Sequence, residues 1–434
     1  MSLLKNIVRS YNGAPLVLRI IAGIIVGTCL AILCRKFGKE SAPVEIMPLS
    51  LCGACFIAAL KGTAPILVLF LVADALIGSQ KGFDSKFAKI ICLYIVSTLL
   101  AAVVAVTVSF LLPVSIDTSG QSQIAEGQTL TLSGILKDAI SGVFSNPAEA
   151  VANGKFLSIL FWAGVIGIAL KTCAGEATRS VIHDLSVAFT RLVAWIINLA
   201  PIGIMGLVFD AVSSSGMDIF RLYGSLVLSL VISMTLVALV TNPLIAGIAM
   251  RANPYPLIFT ALKESGVTAF FTRSSAANIP INLRLCRRLR INEEIYSVSI
   301  PLGATVNMCG AAVTITVMTL ATVNSMGLEV SFLQAALLCG ISVLAACGTS
   351  GVAGGSLLLI PLACSVFGIP YDTAMVTVGI GFIIGVVQDS METALNSSSD
   401  VVFTAAAEYC ELRKEGKPIP DCLALPSEDS GRKQ

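Results

Sequence analysis

Acidic, amide and hydroxyl side chains recur at helical spacing in one apolar stretch near the end of the sequence: Asp389, Glu392, Thr393, Asn396 and Asp400. On an α-helix, at 100° per residue, Asp389, Thr393, Asn396 and Asp400 fall within about 60° of one another. Glu392 lies at the edge of that stripe, and Ile383, Ile384, Val387, Met391 and Leu395 form the opposite face. No charge occurs between Gly379 and Gln388, so the stripe grows out of an apolar helix. A charge in a membrane helix costs roughly 2.5–3.5 kcal/mol, and such groups face a polar cavity where they pair or line an ion or substrate path.

The remaining chain supplies suitable surroundings. Of 434 residues, 56% are hydrophobic and 12% charged, and the mean hydropathy is +0.89. Soluble domains carry about 25% charged residues. That deficit, with apolar runs of roughly 20 residues, marks a polytopic membrane protein. A net charge of +2 gives no electrostatic case for nucleic acid as a partner. Most of the thirteen cysteines, such as Cys29, Cys92, Cys339 and Cys364, sit in apolar runs, where cysteine acts as a small hydrophobe. Cys52-Gly-Ala-Cys55 has the CxxC spacing without a second pair, and His183 is the sole histidine, which argues against a redox or multi-histidine metal site.

Lys5 and Arg9 precede a first apolar run at 16–34, too long for a signal-peptide core. Further spans are expected at 46–77, 90–112, 157–170, 189–209 and 222–250. A polar loop is expected at 114–134, short helices around Ser145-Asn-Pro-Ala, and a disordered charged tail over 411–434. With a cytoplasmic N-terminus, Lys81, Lys86, Lys171, Arg179, Arg251 and the cluster Arg284, Arg287, Arg288 and Arg290 fall inside. The outer loops at 114–134 and 324–331 hold no Lys or Arg, as the positive-inside rule requires. Arg35, Lys36 and Lys39 break that rule.

Two apolar segments in the last third are interrupted at their midpoints. The first, 256–285, is broken by Thr272-Arg-Ser-Ser-Ala-Ala-Asn278, and the second, 332–367, by Gly348-Thr-Ser-Gly-Val-Ala-Gly-Gly-Ser356. Each precedes a helix with polar residues: Gly303-Ala-Thr305-Val-Asn307-Met308 after the first, the acidic stretch after the second. Non-helical backbone at membrane depth is tolerated only where it lines a cavity or is buried in protein. Paired broken segments therefore point to a transporter site built from half-helix ends. The alternative is two kinked spanning helices with small-residue packing faces. As hairpins, their tips are expected to meet beside Asn307 and Asp389.

Arg273-Ser-Ser, Pro301-Leu-Gly-Ala-Thr-Val-Asn307-Met, Gly348-Thr-Ser-Gly-Val and Asp389…Asn396…Asp400 follow one another in an order that resembles the dicarboxylate/amino acid:cation symporters, the glutamate-transporter fold. Asn146-Pro147 and Ala200-Pro-Ile-Gly203 extend the resemblance over nearly the whole chain, which is similar in particular to the bacterial serine/threonine:sodium symporters. The resemblance implies an all-α membrane protein of eight transmembrane helices plus two opposed re-entrant hairpins. It implies a homotrimer in the bacterial inner membrane, with both termini cytoplasmic. Residues 1–251 would be mostly scaffold, 252–410 a transport core moving as an elevator, and 411–434 a tail. It implies sodium as the coupling ion and no other cofactor. The carbonyls of Gly303, Asn307 and Asn396 with the Asp400 carboxylate resemble one sodium site. The carbonyls of Thr305, Met308, Ala346, Cys347 and Thr349 resemble a second. Ser274, Ser275, Val352, Asp389, Glu392, Thr393 and Asn396 match the substrate site. Such chemistry suits these groups: sodium prefers oxygen ligands, half-helix ends offer partial charges, and a carboxylate in a dry site pairs strongly with an ammonium.

The departures bear on substrate. Relatives that carry acidic amino acids have arginine where this chain has Glu392, aspartate at Cys309 and threonine at Ala311. Without the arginine fork a second carboxylate is repelled, so a small neutral amino acid, serine or threonine, is the expected substrate. Without the aspartate a further sodium site, near Ser97 and Thr98, loses its charge. A dicarboxylate or other amino-acid carrier is the alternative substrate class. A channel would show leak without a substrate gradient. An intramembrane serine protease is suggested only by Gly348-Thr-Ser350-Gly351, with no histidine following it as a base.

Overall fold

The computed structural model describes residues 16–36, 47–78, 85–116, 143–349 and 354–417. Among them every regular element is a helix. The first eight are α1 Leu16–Lys36, α2 Met47–Gly78, α3 Ser85–Leu111, α4 Pro147–Asn153, α5 Phe156–Cys173, α6 Glu176–Asn198, α7 Ala200–Ser215 and α8 Asp218–Leu236. A π-turn leads from α8 into α9, Asn242–Met250, and another joins α10, Tyr255–Ala261, to α11, Val267–Thr272. Then come α12 Ser275–Arg288, α13 Glu293–Val306, α14 Cys309–Ser325, α15 Phe332–Cys347, α16 Ile360–Cys364 and α17 Tyr371–Lys414. Seven stretches are long and apolar enough to cross a membrane: Leu18–Arg35, Leu49–Asp74, Phe87–Leu111, Glu176–Asn198, Asp218–Met250, Glu293–Ser325 and Tyr371–Lys414. The protein is a multi-pass membrane protein. The run expected at 157–170 is the shorter helix α5. The one expected at 189–209 is shared between α6 and α7, which meet at Leu199 ahead of Pro201.

Small residues let the N-terminal helices touch. Gly23 and Gly27, one turn apart on α1, face α7 so closely that a methyl on either would lie 2.4 Å from the carbonyl oxygen of Pro201 or Met205. Arg35 explains its own breach of the charge rule: its guanidinium donates to the Val212 carbonyl at 3.1 Å, in the last turn of α7, where a cation meets the negative end of the helix dipole. The C-terminal helices form the interior. Every residue of α14 from Cys309 to Val323 is buried, and α17 is buried through most of Thr373 to Tyr409. An all-round Ala/Val/Thr helix such as α14 needs neighbours on every side.

The first interrupted segment turns back on itself, and the described arms of the second pack against each other. The break expected over 272–278 is confined to Arg273 and Ser274. Arg273 takes the left-handed conformation (φ 52°), its N–H closes α11 on Ala269, and Ser274 caps α12 by accepting from the Ala277 N–H at 3.2 Å. Asn278 then reaches back across the turn to the Ser265 carbonyl at 3.2 Å and hydroxyl at 2.9 Å, and to Ser397 of α17 at 2.7 Å. In the second segment α15 opens with a Ser331–Gln334 capping box, and the chain returns through α16 to pack against it. The 117–134 portion of the expected polar loop and residues 418–434 of the expected tail lie outside the described residues. The last helix runs past Glu411 to Lys414, with Lys89 on Glu411 at 3.1 Å and Arg413 on the Met250 carbonyl at 3.2 Å, so the chain is helical where the tail was expected to begin.

Candidate functional site

The polar stripe is real and it is interior. Asp389, Glu392, Thr393, Asn396 and Asp400 are all at most 5% exposed, at the depth where α17 passes the two turns and the interruption between α13 and α14. Asp389 is held from both broken segments. Arg273 donates through Nε to Oδ2 at 2.6 Å, and the Gly354 N–H donates to Oδ1 at 3.1 Å. A buried Arg–carboxylate pair stands only with such additional bonds. The strained φ of Arg273 is sustained by it, as local strain at functional positions commonly is. One Arg273 nitrogen, Nη1, is buried without a partner among the described residues. Thr393 spends its hydroxyl hydrogen on the Asp389 carbonyl at 2.7 Å.

Glu392, one turn further on, faces neutral donors. Thr314 of α14 donates to Oε2 at 2.7 Å, Ser356 at 2.8 Å, and Gln388 Nε2 also binds that oxygen while holding Thr314 at 2.8 Å. No cation pairs with it among the described residues.

Below it, the chain unwinds. Asn307 (φ −90°, ψ 77°) and Met308 (φ −113°, ψ 51°) separate α13 from α14. The last carbonyls of α13 beyond Gly303, whose oxygen still accepts the Asn307 N–H at 2.9 Å, and the first N–H groups of α14 thereby lose their regular helical partners in the middle of one apolar stretch. Asn396 Oδ1 accepts the Gly310 N–H at 2.7 Å, while Asn307 Nδ2 bonds the Asn396 carbonyl at 3.4 Å, Ser399 at 2.7 Å and Asp400 Oδ1 at 2.9 Å. Asn307 Oδ1 is buried with no partner among the described residues. Gly303 admits Asp400: a methyl there would lie 2.6 Å from Oδ1. Tyr94 of α3 completes the enclosure, bonding the carbonyls of Ser299 at 3.2 Å and Asp400 at 3.4 Å and the Thr404 hydroxyl at 3.0 Å. The Asp400 carboxylate, the Asn307 side chain and the carbonyls of Gly303 and Asn396 thus belong to one buried cluster, and oxygen ligands of this kind suit a hard monovalent cation.

Of the residues expected at a second ion site, Cys347 at the end of α15 meets the end of α13, its Sγ 3.5 Å from the Val306 carbonyl. The Ala346 carbonyl already accepts both the N–H of Thr349 at 3.0 Å and its hydroxyl at 2.7 Å, which occupies both lone pairs. Ser275 is buried at the first turn of α12, and among the described residues its hydroxyl has no partner; Ser274 acts as the cap. Val352 lies outside the described residues. Ser97, expected near a further ion position, donates to Asn242 at 2.9 Å, Thr98 donates to the Tyr94 carbonyl at 2.8 Å, and Cys309 lies 3.5 Å from Ser399.

Sequence reasoning gave no role to Arg273, Tyr94, Thr314, Ser356 or Gln388. For Arg273 the signal was present: a cation at the centre of a broken apolar segment demands a buried anion. The other four carry no charge and are legible only from their contacts.

Residues 16–409 match the sodium:dicarboxylate symporter family. Among curated proteins, the serine/threonine transporter SstT of Bifidobacterium adolescentis is 48% identical over 416 residues, covering 96% of this chain and 94% of that protein. The protein of the same name from Streptococcus thermophilus is 47% identical over 411 residues, covering 95% and 100%. That of Enterococcus faecalis is 48% identical over 418 residues, covering 96% and 97%.

Proposed function

The chain belongs to the sodium:dicarboxylate symporter family, and from that premise we propose that it imports serine and threonine together with sodium across the bacterial inner membrane. The observation that carries this reading is the convergence of Asp389, Glu392, Asn396 and Asp400, on one buried face of α17, with two chain reversals and one unwound helix. Asp389 binds the substrate ammonium. Ser274, Ser275, Val352 and Asn396 take its carboxylate, aided by Arg273 Nη1, which has no partner among the described residues. Glu392 and Thr393 bound the side-chain end.

Sodium, as the co-transported ion, suits the cluster of Asp400, Gly303, Asn307 and Asn396, where Asn307 Oδ1 has no partner among the described residues. The site holds three carboxylates, Asp389, Glu392 and Asp400, against the single guanidinium of Arg273. A zwitterionic substrate leaves that excess unchanged, whereas a cation offsets it. A second ion takes Thr305, Met308, Ala346, Cys347 and Thr349; Thr349 must first release the Ala346 carbonyl.

In this reading α5 and the joined α6–α7 cross the membrane alongside the other long helices, which makes eight crossings, and the two reversals are re-entrant hairpins. Residues 252–410 move as an elevator against a trimeric scaffold drawn from 1–251. Both termini are cytoplasmic, as the positive-inside pattern supports.

The test is uptake of labelled serine by proteoliposomes under an imposed sodium gradient, with unlabelled serine, threonine, alanine, aspartate and glutamate as competitors. Serine and threonine should compete strongly and the acidic pair weakly, since Glu392 repels a second carboxylate. Inhibition by aspartate at serine-like concentrations would overturn the assignment of substrate, and uptake indifferent to sodium would overturn the coupling.

A further inference from the structure

The bonds to Glu392 are distributed unevenly. All three protein donors, Thr314, Ser356 and Gln388, fall on Oε2, and Oε1 receives none from the described residues. The side chain is only 5% exposed. Oε1 itself is not sealed off: unlike the enclosed orphan atoms of this protein it keeps accessible surface, so a donor from outside the chain can reach it. The three donors also come from three directions: Thr314 from α14, Ser356 from the returning arm of the second broken segment, and Gln388 from the preceding turn of α17. Gln388 is itself tied to Thr314. Together they fix both the rotation of the carboxylate and which oxygen is spent.

We propose that Glu392 Oε1 accepts the side-chain hydroxyl of the substrate, and that Thr314, Ser356 and Gln388 are positioning residues that set this selectivity by saturating Oε2. This rests on the reading of the chain as a carrier of small neutral amino acids. It goes further by naming the atom that separates serine from alanine and the residues that aim it. A site built to bind a hydroxyl discriminates strongly against the analogue lacking it, because the acceptor is then left bare in a dry pocket. If Thr314 loses its hydroxyl, the carboxylate can swing, Oε1 is no longer presented, and the advantage of serine shrinks while the ammonium and carboxylate contacts of any amino acid persist.

The experiment compares Thr314→Val, Thr314→Ser and Gln388→Leu with the parent in proteoliposomes, measuring KM for serine and for alanine and the half-saturating sodium concentration. In Thr314→Val and Gln388→Leu the serine KM should rise about tenfold, as expected for a bond to a charged acceptor, with the alanine KM and the sodium dependence close to the parent's. Thr314→Ser should restore the serine preference. Equal losses for serine and alanine, or a serine preference unchanged in Thr314→Val, would overturn the proposal. Absence of sodium-driven serine uptake by the parent would instead overturn the function on which it rests.

Discussion

Replacing Gly303 by alanine tests whether Asp400 is an ion ligand without altering any charged group. The added methyl would lie 2.6 Å from Asp400 Oδ1, 2.8 Å from its Cγ and 2.9 Å from the Tyr94 hydroxyl. Ordinary contact begins at 3.4 Å, so the carboxylate must retreat by about 0.8 Å. It cannot do so freely. Asp400 is 1% exposed, its Oδ1 is bonded to Asn307 at 2.9 Å, and Tyr94 is itself fixed by Ser299 and Thr404. Overpacking of this kind costs about 1–3 kcal/mol. Removing glycine from within α13 returns roughly 0.5–1 kcal/mol. The net loss, at most about 2.5 kcal/mol, is tolerable against a stability of about 5–15 kcal/mol. The ion site fares worse, because the displaced carboxylate is its only full negative charge. If the misalignment forfeits about 1.5–3 kcal/mol, as for a bond to a charged group, the half-saturating sodium concentration rises about tenfold to a hundredfold. The assay is serine uptake as a function of external sodium in proteoliposomes. Gly385→Ala, on α17 with nothing within 4 Å of the added methyl, serves as control and should behave as the parent. A Gly303→Ala protein that inserts normally and keeps the parent's sodium dependence would refute the placement of sodium beside Asp400.

Asp400→Asn should raise the half-saturating sodium concentration far more than it lowers the unfolding temperature in detergent, since the amide keeps the shape and loses the charge; an unchanged sodium curve would remove Asp400 from the ion site. Asp389→Asn should abolish serine uptake, because an amide does not offset an ammonium, and undiminished uptake would contradict that role. Arg273→Ala should destabilise the protein by about 3–5 kcal/mol through the unpaired charge left on Asp389. Adding Asp389→Asn to it should recover part of the loss in thermal unfolding, and additive losses would show that the pair is not coupled.

Membrane class, the polar stripe and both broken segments could be read directly from the residues, for one reason: the bilayer penalises exceptions. An unbroken apolar run needs no explanation, so Asp389, Asp400 and the Arg273-Ser-Ser interruption stand out against it. The helical period then groups Asp389, Thr393, Asn396 and Asp400 on one face with no knowledge of what that face meets. What it meets was settled by packing. Arg273 lies 116 positions from Asp389, and Thr314 lies 78 positions from Glu392. No local pattern carries a pairing across such distances, and only the return of both broken segments onto α17 creates it. The same holds for Tyr94, an unremarkable aromatic in an apolar span until α3 brings it against Asp400. Glu392 shows the division most clearly. Its type and position predicted hostility to a second carboxylate, a consequence of charge alone. Which of its oxygens is engaged depends on Gln388, one turn away on the same helix, and on the hydroxyls of Thr314 and Ser356, which only the tertiary fold brings to it.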